Sequence, residues 1–315
     1  MEREKIEEFL AEVKRLMPEY EFEIGSVVKR NDNEKEALFL KGGEEKVAPI
    51  FYLDDYSHLS AVEMANRAQQ VIDMYSISQD EITEILLSPE FVKNNVRLQL
   101  VNTDKNRGYL QGKPSFKVGA DLSAVLYVSF GEHGEAKACL QDAILEGMGL
   151  DINELKELAL QNMWDKKEMI KLTDMVARSR GIESMIETER ILNLLEKGKM
   201  SDMVIITNAE HMEGAATILC PEFLEKCNQD IVILPSSCHE LIIMPYDANT
   251  DLRGLQKMVE EINLTNVDEK DVLSDNVYVF DCEKKTISLA CDTYGLTPIC
   301  DETKLQLALP KAVTK

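Results

Sequence analysis

Apolar residues near the N-terminus recur at helical spacing (Ile6, Phe9, Leu10, Val13, Leu16 and Met17) and Pro18 ends the run, so the chain opens with an amphipathic helix. Strand-like segments follow at 20–30, 36–41 and 47–53, punctuated by Asn31-Asp32-Asn33 and Gly42-Gly43, which are hairpin signals. Leu59, Val62, Ala65, Ala68, Ile72 and Tyr75 mark a second helix from Ser57 to Tyr75, and Ser78 with Glu81 spells a capping box for a shorter third. Strands at 96–103, 121–130 and 135–140 complete the first 150 residues. From Ile152 through Leu155, Leu158, Ala159 and Met163 the chain turns helical, and a proline-free, charge-balanced stretch to Lys199 reads as a helical connector broken at Gly181.

Beyond residue 201 the pattern becomes regular. Strands at 202–207, 214–219, 230–235, 239–245, 276–281 and 286–290 alternate with helices at 221–228 and 251–264, spelling ββαββαββ. Short β-to-β connections force antiparallel neighbours, so the expected class is α+β, with mixed, mainly antiparallel sheets and helices packed on one face. The expected organisation is an N-terminal α+β half (1–150), a helical connector (151–200), a C-terminal half (201–290) and a loosely ordered tail (291–315). One internal echo stands out. Val101-Asn-Thr-Asp-Lys-Asn106 precedes the strand Ala124–Phe130 as Ile206-Thr-Asn-Ala-Glu-His211 precedes Ala215–Leu219, the mark of a duplicated half or of a recurrent turn.

Composition narrows the function classes. With 315 residues and 44% hydrophobic content the chain can bury ordinary cores. Its net charge is −22, and half of that excess lies in residues 201–290, which hold 17 acids against 6 bases. Such a surface repels phosphate backbones and anionic lipid, so no direct nucleic-acid binding and no membrane association are expected. The N-terminus, Met-Glu-Arg-Glu-Lys-Ile-Glu-Glu, lacks the apolar core of a secretory signal, and a cytoplasmic location is expected. Seven cysteines without a Cys-x-x-Cys pair argue for reduced thiols rather than a disulfide framework.

The densest chemistry lies in Asp230-Ile-Val-Ile-Leu-Pro-Ser-Ser-Cys-His-Glu-Leu-Ile-Ile-Met-Pro245, where two apolar runs flank Ser236, Ser237, Cys238, His239 and Glu240. These five are the catalytic candidates, because a serine or cysteine nucleophile needs a histidine within hydrogen-bond reach. Adjacent strand residues point to opposite faces, so Cys238 and His239 form no dyad while extended, and the same residues serve equally as a hairpin tip capped by its serines. Of the four histidines, His211 stands two residues from Glu213, and this pair is the candidate for chelating a metal from one strand face. Asp54-Asp55, Glu260-Glu261 and Asp268-Glu-Lys-Asp271 read as solvated acids without calcium-loop spacing. Phosphate-binding glycine loops are absent, and no cofactor is expected.

Taken in order, Leu100-Val-Asn-Thr-Asp-Lys-Asn, Asp121-Leu-Ser-Ala-Val, Glu154-Leu-Lys-Glu-Leu-Ala-Leu-Gln-Asn, Ile206-Thr-Asn, Gly214-Ala-Ala, Leu234-Pro-Ser-Ser-Cys-His-Glu and Val272-Leu-Ser-Asp resemble an uncharacterised domain-of-unknown-function family of clostridial and other Firmicutes proteins. The likeness runs over roughly residues 1–290 and is densest from 202, whereas 166–200 depart from the pattern. It implies a bacterial cytosolic protein, in some cases encoded among mobile-element genes, and attaches no activity or cofactor. The reading that follows is a non-enzymatic protein that binds an unidentified protein partner through sheet surfaces and acidic loops. Its rivals are a hydrolase or transferase built on the Ser236–Glu240 turn and an acidic mimic of nucleic acid. An exposed edge strand would also allow a homodimer.

Overall fold

The helical stripe and the alternating strands at the N-terminus bury one shared set of side chains. The structure is a computed structural model and describes residues 3–41, 50–130, 136–181, 187–235 and 237–290. Gly42-Gly43, His133, Ser236, Cys291, Cys300 and the tail 291–315 lie outside the described residues. The chain divides into two compact units at Phe91/Val92.

In the first unit, helix α1 (Arg3–Leu16) precedes an antiparallel sheet of β1 (Glu21–Val28), β2 (Glu34–Lys41) and β3 (Ile50–Tyr52), and helix α2 (Ala61–Leu86) follows. The β1–β2 hairpin turns where Asn31 and Asp32 take φ of 60° and 48°, a left-handed geometry that short polar side chains tolerate. Phe9 and Val13 of α1, Met17 just beyond its end, and Met64, Ala65 and Ala68 of α2 share a core with Phe22, Leu38 and Phe51 of the strands, so both helices cover one face of the sheet. The helix break expected at Ser78 does not occur, and the backbone runs helical to Leu86. The Ser-x-x-Glu device acts earlier instead. Ser60 N and Oγ both donate to Glu63 Oε2 (2.9 and 2.7 Å), and Glu63 N donates back to Ser60 Oγ.

The second unit begins within α3 (Pro89–Asn95) and holds two sheets. In the smaller sheet β6 (Leu122–Phe130) is central. One edge pairs with β4 (Val96–Asn102) over its whole length, while β5 (Ser115–Gly119) and β7 (Ala136–Cys139) divide the other edge between them. Nearly every position of β4 and β6 is buried, so both faces of this sheet are covered. Helices α4 (Asp142–Met148) and α5 (Ile152–Asp165) follow, and α5 lies on β4, fixed by Asn162 Nδ2 donating to the carbonyls of Lys93 and Val96 (3.1 and 3.0 Å). Asp151 starts α5 by accepting from the amides of Asn153 and Glu154.

The larger sheet has the order β13-β12-β10-β11-β9-β8, every neighbour antiparallel. Its strands and intervening helices are β8 (Lys167–Lys171), α6 (Leu172–Ser179), α7 (Thr188–Glu196), β9 (Val204–Asn208), α8 (Pro221–Lys226), β10 (Ile231–Leu234), β11 (Leu241–Pro245), α9 (Leu252–Thr265), β12 (Tyr278–Asp281) and β13 (Thr286–Leu289). The α+β class with antiparallel sheets is as expected. Two details of the sequence reading are corrected. Residues 214–219 form a 3₁₀ turn, not a strand, because Gly214-Ala-Ala-Thr-Ile-Leu219 is buried at every position and a short apolar run carries no period to tell strand from helix. The stretch expected to be a helical connector contains β8, whose Lys-Glu-Met-Ile-Lys composition favours a helix but whose Met169 and Ile170 are buried beside β9.

A buried carboxylate joins the two sheets of this unit. Asp121, at the entry to β6, accepts from Asn102 Nδ2 (2.7 Å), Ser274 Oγ (2.9 Å), Asn276 Nδ2 (3.0 Å) and Tyr278 OH (2.5 Å). All five residues are buried. Beside it, Leu100 and Leu122 face Ile233, Leu241, Tyr278 and Ile287 across an apolar crevice of about 20 Å³, roughly the space of one water and far below that of a small-molecule site. Among the described residues no helix is long and apolar enough to cross a membrane. Replacing Asp121 by Ala leaves four buried donors without their acceptor, and the expected loss is about 4 kcal/mol of unfolding free energy, read from urea midpoints at constant slope.

Candidate functional site

The Pro-Ser-Ser-Cys-His-Glu string does form the turn between β10 and β11, and what it touches is set by three other segments. The first is the turn after β9. Asn208 ends that strand with its side chain inward, accepting from the amides of Glu210 and Met212 and donating to the Met212 carbonyl (3.2, 3.2 and 2.7 Å). This winds residues 209–213 so tightly that His211 and Glu213 take φ of 51° and 56°, a region that costs a non-glycine residue roughly 1 kcal/mol or more. The second segment is Gly214. A Cβ there would fall 2.7 Å from the His239 carbonyl oxygen and 2.8 Å from both Asn208 N and Thr207 Cα, so the two turns cross at a point only glycine fits. Thr207 Oγ1 donates to the same His239 carbonyl (3.0 Å), and Ala215 N donates to the Cys238 carbonyl (3.2 Å). The third segment ends in Asp271, whose carbonyl accepts from Cys238 N at 3.0 Å.

This scaffold decides the chemistry of each candidate. The Ser237 hydroxyl accepts from the His239 amide (3.0 Å), and its own amide donates to the Glu240 carbonyl, which makes it a turn cap. Cys238 is fully buried, with Sγ 3.8 Å from Asp271 Oδ1. His239 is about one-third exposed; its Nδ1 accepts from the Glu213 amide at 3.2 Å, which assigns the ring proton to Nε2, and Nε2 lies 3.4 Å from Asp271 Oδ1. Both imidazole nitrogens therefore face groups other than a serine or cysteine nucleophile. Ser236 lies outside the described residues. Residues 209–213 are a turn, so His211 and Glu213 have no strand face to share. Glu213 is wholly buried and groups with Cys238 and His239, one ligand atom from each lying within 4.8 Å of the others. Among the described residues this is the one such group of three.

Glu213 also ends a buried polar line that sequence reading did not find. It is ion-paired with Lys137 of β7, whose ammonium also donates to Gln99 Oε1 of β4 (3.3 Å). Gln99 donates to Tyr109 OH (2.5 Å), which lies 3.0 Å from Cys139 Sγ. On the same face, buried Arg97 is paired with Glu210, which also takes Lys166 at 2.9 Å. Burial pushes the Tyr109 and Tyr127 phenols well above their ordinary range, and the nearby Glu213 charge adds to both shifts. Arg97, Gln99 and Val101 share one side of β4, so the alternation was legible, but nothing in a single sequence says that a polar stripe is buried. Asp271 was equally hidden, since its run of acids reads as solvent-facing. Elsewhere, burial lifts the Cys227 thiol to about 12 and Cys220 further, which keeps both protonated and unreactive at neutral pH.

Fold and site together define an antiparallel α+β protein whose most specific turn is pinned by buried Glu213 and Cys238 with the half-buried pair His239 and Asp271. The chain belongs to the DUF5688 family, a family of unknown function, whose model matches residues 3–282. Neither the curated proteins nor the solved structures contain a match to the chain.

Two outcomes are expected here. Gly214→Ala forces the turns apart and lowers stability by about 2–3 kcal/mol, measurable by thermal and denaturant unfolding. The Glu240 carboxyl is raised above its ordinary 4.5 by burial, against the attraction of His211 and His239. A carboxyl with a raised folded value binds its proton more tightly in the folded state. Its charged form therefore weakens the fold as pH rises through that value, and below the unfolded value the penalty vanishes. Glu240→Gln should raise the unfolding temperature at about pH 8, with the gain fading as the pH falls below about 4; a gain that is unchanged across that range would contradict the assignment.

Proposed function

We propose that the protein is a non-catalytic binding protein that offers its acidic C-terminal surface to a protein partner. The observation that carries this reading is the wiring of the Ser237–Glu240 turn. The Ser237 hydroxyl, the thiol and both imidazole nitrogens each face a backbone group or Asp271, and the thiol is buried, so among the described residues of the turn no nucleophile–base pair faces a substrate. The surface chosen is the outer side of α9 and the turn after it. Glu260, Glu261, Asp268 and Glu269 are exposed there, and Leu264 stands 86% exposed among them. An apolar knob inside an acidic rim fits a partner with an apolar pocket bordered by lysine or arginine, where charge complementarity speeds encounter and the leucine supplies burial.

The test uses cross-linking capture from the source cells with the full chain and a Glu260→Lys/Glu261→Lys/Leu264→Asp variant. A partner held by the wild type should be captured at least about tenfold less by the variant and should dissociate as salt rises, since rim charges act through screened attraction. In parallel, native protein is treated with a fluorophosphonate and a haloacetamide probe. Labelling of Ser237 or Cys238 that disappears in His239→Ala would overturn the reading in favour of a nucleophilic enzyme.

A further inference from the structure

An edge strand exposes a row of unpaired peptide groups, and proteins blunt such edges with caps, bulges, charges or short strands. At the edge of the larger sheet Met169 of β8 is capped, its amide donating to Thr188 Oγ1 (2.9 Å) and its carbonyl accepting from Glu187 N (3.3 Å). β5 is bulged between Lys117 and Gly119 and exposes Lys117, and β3 is three residues long. β1 has none of these devices from Ile24 onward. It pairs with β2 in unbroken register over eight residues, contains no proline, and carries no charge between Ile24 and Val28. Alternation decides which of its peptide groups face outward. Lys29 N donates to Asn33 O (2.8 Å), and Glu36, opposite Ser26, gives its carbonyl to Leu53 N on the β3 side (3.0 Å). Gly25 and its odd-numbered neighbours therefore bond β2, while the amides and carbonyls of Phe22, Ile24, Ser26 and Val28 point away from it. Among the described residues no strand or loop backbone meets these four on that side.

We propose that β1 pairs antiparallel with β1 of a second copy of this chain, about a two-fold axis at Gly25, so that the sheets of the two first units become one. In that register Phe22 faces Val28 of the second copy and Ile24 faces its Ser26, which uses all four outward residues and makes about eight inter-chain hydrogen bonds. Three features of the single chain fit it. Glu21 and Lys29 come opposite each other at both ends, in the closer, non-hydrogen-bonded pairs; neither has an ion pair of its own among the described residues, and Lys29 only lies over the Tyr52 ring at 4.2 Å. Val28, 37% exposed, comes opposite Phe22, where Lys14, Pro18, Tyr20, Glu21 and Phe22 line an open hollow of about 450 Å³ on the helix-covered side of the sheet. At the axis, glycine meets glycine. The Phe39 ring lies so close over Gly25 that a Cβ there would fall 3.0 Å from Phe39 Cε2, and the two-fold brings a second such ring beside it. An apolar residue at one end of the strand and a hollow at the other are exchanged by the same rotation, which is the self-complementarity a two-fold interface requires.

The test is sedimentation equilibrium of the full chain from about 1 to 200 μM, a range that covers weak and moderate dimers. The wild type should follow a reversible monomer–dimer equilibrium. Glu21→Lys and Lys29→Glu should each weaken it about tenfold, because both ends then hold like charges, whereas an equimolar mixture of the two variants should associate at the wild-type level, since each end of the mixed dimer again holds opposite charges. Ser26→Pro removes an outward amide, leaves the bonds to β2 in place and should give a folded monomer. Glu260→Lys/Glu261→Lys/Leu264→Asp, which alters α9 of the second unit, should dimerise as the wild type does, so this proposal stands or falls apart from the partner reading above. A wild-type chain that stays monomeric, a dimer that neither charge variant weakens, a mixture that associates no better than its components, or a dimer lost in the α9 variant overturns the proposal. Where Ser26→Pro does not fold, the mixing experiment decides.

Discussion

One buried carboxylate sets the architecture of the larger unit. Asp121 sits where β6 begins and is met by side chains from the end of β4 and from residues 274–278, so the smaller and the larger sheet can dock in one register only. An apolar contact between two sheets could slide by a residue at little cost. A buried carboxylate with four donors cannot, because every slip strands polar groups away from water at about 1–3 kcal/mol each. Asn102 shows how economical the arrangement is. Its amide nitrogen binds Asp121 while its oxygen accepts from Asp104 N and Lys105 N, so the same side chain ends β4 and starts the turn that follows.

The second crossing repeats this logic at the other end of the unit's polar interior. Asn208 ends β9 as Asn102 ends β4, with its oxygen on two amides of the next turn, which gives the internal echo in the sequence a physical content. The echo stops there. After Asn102 the chain leads through Asp121 into a strand, whereas after Asn208 it leads through Gly214 into a 3₁₀ turn packed under His239. A recurrent way of ending a buried strand explains the likeness without a duplicated half.

How much of this was legible depended on whether a property is local. The hairpin at Asn31-Asp32, the helix ended by Pro18 and five of the six strands expected in the C-terminal half rest on periodicity and turn chemistry within a few residues, and they stand close to where the sequence places them. The misreadings share one cause. β8 is helix-favouring by composition and becomes a strand only because β9 offers an edge, and Gly214–Leu219 is apolar throughout and takes its shape from the segments crossing it. For the site, the string around His239 was found, and alternation rightly separated Cys238 from His239 as a dyad. Asp271, 32 residues on from His239, meets that turn only in three dimensions, and Lys137, about a hundred residues before it, reaches it only through Glu213. Acids at the surface and acids at a buried turn look alike in a single chain.

The protein thus places its buried charge where it fixes geometry and its remaining charge where solvent carries it. Arg97 with Glu210 and Lys137 with Glu213 are desolvated pairs, which on energetic grounds alone rival apolar packing poorly. Their positions are informative for that reason. Each ties a strand of the smaller sheet to the turn after β9, the same turn whose backbone is held at positive φ by Asn208 and Gly214. A strained turn persists only when its surroundings over-determine it, and here ion pairs, a capping asparagine and an obligatory glycine all act on five residues. Their combined effect is to present the Glu213 carboxylate and amide to Cys238 and His239 at fixed distance, so the specificity gained from buried charge is spent on one small cluster rather than on the fold at large.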